Sequence, residues 1–420
     1  MATASASLTS GGSTPKKSQP DGTLDALNFF LADVRDGLGP YLAIYLVAVR
    51  GPAHGWNEAT VGLVLTIAGI VGLLAQTPAG SLIDRSKNKP RIVMIAALLV
   101  TISSLSLPIA SGFAMVTITQ SVAAVAGAVF APAISAITLG LVGPKLFAKR
   151  VARNEAFNHG GNAVSAALAG MLAWKFGPVV VFWLMAGLTV ASIVTTFRIR
   201  NDDIDNAVAR GLDCEPEEGC EEPSGWTALV ENKPLMMFAV IAFLFHLSNA
   251  AMLTSVSQLL ARTVGKDQAT SLTAACIVAA QLVMVPVAIV VGRMTDRVGT
   301  KPIFLLAFVF LAARGALYTV SNDPYWLVGV QALDGVGAGI FGALFPVVIS
   351  DLTEGTGRFN VSQGVVATTQ GLGAALSASL AGSIIVWAGY SVSFLTLSVI
   401  AGAGFALYLL AMPETKKTKG

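Results

Sequence analysis

Charge is scarce in this chain. Lys, Arg, Asp and Glu make up 12% of its 420 residues, against roughly 25% in ordinary soluble domains. Hydrophobic residues make up 54%, and mean hydropathy is +0.70. So little charge cannot cover a soluble globule of this size, and an all-α integral membrane protein is expected. Formal net charge is only +3, which gives no reason to expect a nucleic-acid partner. Cysteine is scarcer still. Three residues, Cys214, Cys220 and Cys276, exclude a disulfide framework. The Cys214/Cys220 pair lacks the two further ligands a zinc site would need, so no metal is expected. G-x-S-x-G, HExxH and GxxxxGK[ST] are all absent, and with them the usual grounds for an enzyme or a bound cofactor. The first 23 residues, rich in Ser, Thr and Gly, lack the apolar stretch of a signal peptide and are expected to form a disordered cytoplasmic tail.

What is abundant is the long apolar run. A membrane-crossing helix needs about 20 mostly apolar residues. Twelve segments qualify: 24–49, 58–82, 91–111, 114–142, 154–174, 178–198, 235–261, 268–292, 302–320, 325–349, 360–387 and 390–411. The acidic stretch 199–234 separates two groups of six. The expected units are an N-terminal bundle 24–198, a cytoplasmic linker 199–234, a C-terminal bundle 235–411 and a tail 412–420. With the N-terminus cytoplasmic, the loops on that side hold nearly all Lys and Arg. Only Arg50, Lys175, Arg262 and Lys266 fall on the opposite side, while Arg35 and Arg314 lie within spans. This bias predicts that both termini are cytoplasmic.

The two groups repeat one another. GSLIDRSKNKP (80–90) and GRMTDRVGTKP (292–302) match at Gly80, Asp84, Arg85, Lys89 and Pro90 with Gly292, Asp296, Arg297, Lys301 and Pro302, always 212 positions apart. The same offset aligns SAALAG (165–170) with SASLAG (377–382). Both copies of the loop fall on the same side, so the repeat is parallel, about an axis along the membrane normal.

Twelve spans in two sixes, a central loop, and G-x-L-x-D-R-x-x-x-K-P after span 2 with its echo after span 8 resemble the major facilitator superfamily from residue 24 to 411. The resemblance implies secondary transport by alternating access, in which two bundles rock about a central cavity. Asp84 and Asp296 would then latch the cytoplasmic side against helix N-termini of the other half, with Gly80 and Gly292 permitting close helix approach. Arg85, Lys89, Arg297 and Lys301 would join that gate or serve topology. Two patterns common in proton-coupled drug exporters are missing. Span 4 has Gln120 where those carry Arg, and span 5 lacks their glycine–proline pattern.

Ionisable residues at membrane depth are costly and mark functional candidates. Span 1 carries Asp33, Arg35 and Asp36, the two acids about 60° apart on one helical face. Neighbouring acids and burial both favour the protonated form, so Asp33 and Asp36 are candidates for proton coupling. The structural alternative is a permanently ionised network with Arg35. An offset of 213 aligns His246 with Asp33 and Asn249 with Asp36, which adds His246 to the proton candidates. Candidate substrate contacts are Arg35, Asn28, Tyr41, Asn158, Asn249, Gln258, Gln331 and Gln370, with His159, Asn162, Gln281 and Gln363 as further polar positions and Tyr45 and Phe341 as aromatic walls. Arg314 and Asp334 stand at similar depth in adjacent spans and are expected to form a structural pair. The runs 335–343 and 371–382, rich in Gly and Ala, suit close packing or sliding between bundles.

With no ATP-binding domain, coupling must come from an ion gradient or the substrate. The favoured reading is a monomeric antiporter of the bacterial inner membrane that exports a small organic compound in exchange for protons. Import or uniport of an organic anion or siderophore-like metabolite, and a non-transporting sensor, are the alternatives.

Overall fold

In lipid a backbone has no hydrogen-bonding partner but itself, so a chain of this composition must form helices. The computed structural model describes residues 21–36, 39–109, 112–206, 208–210, 232–353 and 359–415, and among them every regular element is helical. The N-terminal half contains α1 (Asp21–Asp36), α2 (Gly39–Ile44), a π-helical turn (Tyr45–Arg50), α3 (Gly51–His54), α4 (Glu58–Arg85), α5 (Lys89–Leu105), α6 (Phe113–Gly127), α7 (Phe130–Val142), α8 (Pro144–Phe176) and α9 (Val180–Phe197). The C-terminal half contains α10 (Lys233–Val264), α11 (Lys266–Val298), α12 (Thr300–Leu317), α13 (Pro324–Leu352), α14 (Phe359–Ala388) and α15 (Tyr390–Ala411). Taking α1–α3 and α6–α7 as one crossing each gives twelve crossings, six per half. Cys214, Cys220, most of the expected linker and both chain ends lie outside the described residues.

Nine helical segments among the described residues are long and apolar enough to cross a membrane. The other three crossings fall short for local reasons. Helix α5 has only 17 residues. Helix α8 carries Asn154, Glu155, Asn158, His159 and Asn162 along its length. The first crossing is described as far as Asp36 and again from Gly39, and its second part contains the π-helical turn at Tyr45–Arg50. A proline ring clashes with the carbonyl four residues earlier, and Pro132 stands four residues after Ala128, where α6 gives way to α7. Helix α8 also begins ten residues before its expected start, because a helix of charged residues continues beyond the apolar stretch. Leu74, Ile109, Trp174, Phe197, Trp387 and Leu410 point outward. On a soluble protein such a surface would aggregate, whereas here it suits lipid.

Each half has its own apolar core, one centred on Leu27, Phe130 and Phe182, the other on Phe238, Phe304 and Phe308. Two of the contacts between the halves are related by the repeat. Thr66 Oγ1 of α4 donates to the Ala375 carbonyl of α14 at 2.6 Å, and Ser379 Oγ donates to Thr66 Oγ1 at 2.7 Å. A Cβ on Gly62 would collide with the Ala378 carbonyl, and one on Gly382 with the Glu58 carbonyl. The related interface joins α8 and α11. Ser271 Oγ donates to the Gly170 carbonyl at 2.7 Å, and a Cβ on Gly170 would come within 2.7 Å of the Ala274 Cβ. Gly170 and Gly382 are the matching glycines of SAALAG and SASLAG, and Ala274 matches Gly62.

All these contacts lie toward the end of the molecule that carries Glu58. Toward the opposite, basic-loop end, a Cβ on Gly80, Gly160, Gly292, Gly342 or Gly364 would meet nothing within 4 Å. Among the described residues the close helix approach expected at Gly80 and Gly292 is not seen, while the bundles are packed at the Glu58 end. This contrast predicts the effect of added bulk. Gly62→Leu overpacks the α4–α14 contact, at a cost of about 1–3 kcal/mol, and should lower the apparent Tm of the purified protein by several degrees. Gly80→Leu should leave it unchanged or raised. Equal losses at both positions would refute the assignment of the tight interface.

Candidate functional site

Helix α1 is held against α8 by close approach. A Cβ on Gly161 would collide with the Phe29 carbonyl, and Asn158, Gly161, Asn162 and Ser165 share that face of α8 by their spacing of three and four residues. Ser165 Oγ donates to Asp33 Oδ1 at 3.2 Å. Tyr41, on α2, is buried, and its hydroxyl has no hydrogen-bond partner among the described residues. It lies within electrostatic reach of Asp33 and of Cys276 on α11. Asp33 thus sits close to the junction between halves. The Asp36 side chain lies outside the described residues.

Arg35 points elsewhere. Its Nη1 is 3.5 Å from Glu155 Oε1, with both side chains partly exposed, and it lines a recess of about 320 Å³ with Ser104 and Gln120. Leu65, Gly69, Ala124 and Gly127 line this recess and also a chamber of about 780 Å³, which is bounded across the junction by Ala367, Gly371, Ala374 and Ala375 of α14.

The C-terminal half encloses a saturated polar network. Arg314, fully buried, donates through Nη1 to Asp334 and through Nη2 to Asn249 Oδ1 at 2.7 Å. Gln331 Nε2 donates to Asp334 Oδ2 at 3.1 Å, and the Tyr318 hydroxyl donates to Gln331 Oε1. Arg314 and Asp334 are paired, and Asn249 and Gln331, expected at the substrate, are tied to that pair. His246 has Nδ1 3.1 Å from the Ala242 carbonyl of its own helix and packs edge-on against Phe341, with ring centroids 4.7 Å apart. Phe341 also stacks on Phe245. Asn28 donates to the Leu24 carbonyl at 2.8 Å within α1. Asn158 and Gln258 are buried, Gln363 and Gln370 half-buried. His159 Nδ1 and Gln281 Oε1 are buried without a described partner. Tyr45 packs edge-on against Phe182.

At the basic-loop end the repeated lysines act alike. Lys89 Nζ, fully buried, donates to the Ser86 carbonyl at 3.0 Å and to Asn206 Oδ1 at 2.8 Å, in the segment that follows α9. Lys301 Nζ donates to the Met412 carbonyl at 2.6 Å, just after α15. Each lysine ties the loop after the second crossing of its half to the end of the sixth. Glu414 completes the second copy by accepting from Thr300 N and Lys301 N at 2.9 and 3.0 Å, where the N-terminus of α12 favours a carboxylate. Arg85 and Arg297 are exposed, and the side chains of Asp84 and Asp296 lie outside the described residues. Asp25 accepts from Arg150 Nη2 and Arg153 Nη2, both at 2.6 Å.

The Glu58 end holds a clasp that the sequence did not single out. Glu58 begins α4, where Asn57 caps the helix. Its buried carboxylate accepts from Arg262 Nε at 2.5 Å, from Arg262 Nη2 at 2.9 Å and from the Tyr390 hydroxyl at 2.6 Å. Arg262 ends α10 and Tyr390 begins α15, so this fork spans the two halves. One signal was present: 212 positions on, Glu58 aligns with Thr270, so the charge is an addition to one half alone.

The model of the Major Facilitator Superfamily matches residues 25–285 and 238–420. The chain belongs to the major facilitator superfamily. It is 54% identical over 392 residues to an uncharacterized MFS-type transporter of Mycobacterium tuberculosis, covering 93% of each chain. As a member it is a multi-pass membrane transporter and not an enzyme. Solved structures share its fold at low identity. A point mutant of the nucleoside transporter NupG has a TM-score of 0.75 at 14% identity over 93% of this chain and 98% of that one. A bacterial homologue of the lysosomal transporter Spinster, inward-facing and unoccupied, reaches 0.74 at 15% over 95% and 98%. A D-xylose–proton symporter reaches 0.70 at 11% over 94% and 97%.

The clasp gives this transporter a measurable gate. Glu58→Gln or Arg262→Ala should open the Glu58 end, so that a cysteine placed at Ser379 reacts several-fold faster with an impermeant maleimide in a background lacking the native cysteines. The charge exchange Glu58→Arg with Arg262→Glu should restore part of the protection. Unchanged reactivity in the single variants would show that the clasp does not hold the gate.

Proposed function

We propose that this transporter exports a small organic compound from the cytoplasm in exchange for protons, by alternating access between its two halves. The observation that carries the reading is the position of Asp33. A partly buried carboxyl on α1 accepts from Ser165 of α8 and lies within electrostatic reach of Tyr41, which also reaches Cys276 of the C-terminal half. A group placed there changes surroundings whenever the halves rock, and a carboxylate whose burial changes takes up and releases a proton. Asp36, three residues on, is its partner in this reading, and His246 is a further relay position in the opposite half.

Charge bias supports placing the basic-loop end in the cytoplasm of a bacterial inner membrane, with both termini there. In that orientation the Glu58–Arg262–Tyr390 clasp closes the outer side while the chamber is reached from within. That is the state in which an exporter loads its cargo. Asp84 and Asp296 would form the opposing inner latch when the cycle reverses, with Arg85 and Arg297 beside them. Lys89 and Lys301 hold the loops on which those acids ride.

The test uses inverted membrane vesicles that respiration acidifies inside. Compounds accumulated by the wild-type protein should lose pH-driven accumulation by roughly tenfold or more in Asp33→Asn, as expected when a coupling carboxylate cannot titrate. Exchange of labelled for unlabelled compound, which needs no net proton movement, should persist. If Asp33→Asn and Asp36→Asn both kept full pH-driven accumulation, proton coupling through this cluster would be refuted. Accumulation driven in the opposite direction would refute export.

A further inference from the structure

The recess beside α1 carries one cation and one unpartnered amide donor among its described lining residues. Of its lining residues Arg35 alone is charged, and no acidic side chain lines either the recess or the chamber among the described residues. Gln120 Nε2 is buried there without a hydrogen-bond partner. Ser104 spends its hydroxyl proton on the Val100 carbonyl at 3.0 Å, which leaves its oxygen to accept. Among the described residues Arg35 has one ion pair, of 3.5 Å with Glu155, itself 46% exposed. A pair of that length and exposure is weak and leaves most of the guanidinium's five N–H donors unused. The remaining walls, Val34, Leu42, Leu65, Val100 and Met185, are apolar, as is most of the adjoining chamber.

A buried donor left unfilled is costly, and a cationic fork beside one, in an apolar wall, fits a carboxylate or sulfonate. We propose that the recess holds the head group of an amphipathic organic anion, with Arg35 and Gln120 donating to it, while the apolar body of the same molecule lies in the chamber against α14. This rests on reading the chamber as the transport cavity and assigns the chemical class of the cargo. Asp33 on the opposite side of α1 keeps its own contact with Ser165, so cargo and proton have separate seats on one helix.

The full-length protein in nanodiscs, titrated calorimetrically against an empty-nanodisc blank, tests this with three probes that share one apolar body: 2-naphthoate, 2-naphthylmethanol and 2-naphthylmethylammonium. The wild-type protein should bind naphthoate at least about tenfold more tightly than the other two, the scale of one charge-assisted contact. Arg35→Gln should abolish that preference, Arg35→Lys should keep part of it, and Gln120→Leu should weaken naphthoate roughly three- to tenfold with the neutral probe unchanged. Wild-type melting profiles in each variant guard against misfolding. Equal binding of the three probes, preference for the ammonium, preference that survives Arg35→Gln, or no binding of naphthoate would each overturn the proposal. No gradient is involved. A protein that binds the anion but shows no pH-driven accumulation loses proton coupling and keeps this site, while one that couples protons without anion preference loses only this site.

Discussion

Everything else in this molecule depends on how closely two pairs of helices approach. At Gly62 and Gly382, and again at Gly170 with Ala274, the backbones of opposite halves touch with almost no side chain between them. Lipid supplies no hydrophobic force to push helices together, so association rests on van der Waals contact and a few hydrogen bonds. Small residues provide both here, with Thr66, Ser379 and Ser271 donating across the seam. Such a surface is smooth and weakly committed. It holds one end closed without forbidding the other end to close in turn, and the Glu58–Arg262–Tyr390 clasp adds a directional, charge-bearing contact at the closed end of the seam.

The two halves share a scaffold and divide the chemistry. In the C-terminal half the buried charges are satisfied: Arg314, Asp334, Asn249, Gln331 and Tyr318 form a closed set of donors and acceptors. Breaking such a set strands a buried charge, so it behaves as a rigid part. Buried polar atoms without a described partner occur in both halves, among them Gln281 and Tyr408 in the C-terminal half and Tyr41 and Gln120 in the N-terminal half, where Arg35 has one long ion pair among the described residues. An unsaturated polar lining costs stability and is the feature of a site that gains partners from a ligand or a proton.

Much of the fold was legible in one dimension because lipid restricts the options. Apolar runs of sufficient length must be helices, and the parallel repeat of 212 residues placed twelve of them in two related sets before any contact was known. The break at Ala128 was also readable in retrospect, since Pro132 acts on the carbonyl four residues back. The candidate site was legible only in kind. Ionisable residues in apolar runs announced themselves, and Arg314 with Asp334 could be paired by depth. Asn249 and Gln331 could not be assigned to that pair, because a helical wheel says which way a side chain points and not which helix lies beyond it. Glu58 looked like a helix start, and Lys89 and Lys301 like topology signals, although each lysine ties the ends of its bundle together.

The sequence by itself determined that this chain lives in a membrane, how many times it crosses, that its halves are copies and which family it resembles. These follow from hydropathy, length and repetition, which are properties of the chain read along its own axis. Only the tertiary structure decided which end is closed, that Arg35 pairs with Glu155 and lines a recess with Gln120 while Asp33 meets Ser165, and that Glu58 is clasped by residues some two hundred and three hundred positions away. Those facts depend on the relative placement of helices whose surfaces are nearly featureless, and contacts made through glycine, alanine and serine leave almost no trace in periodicity or charge.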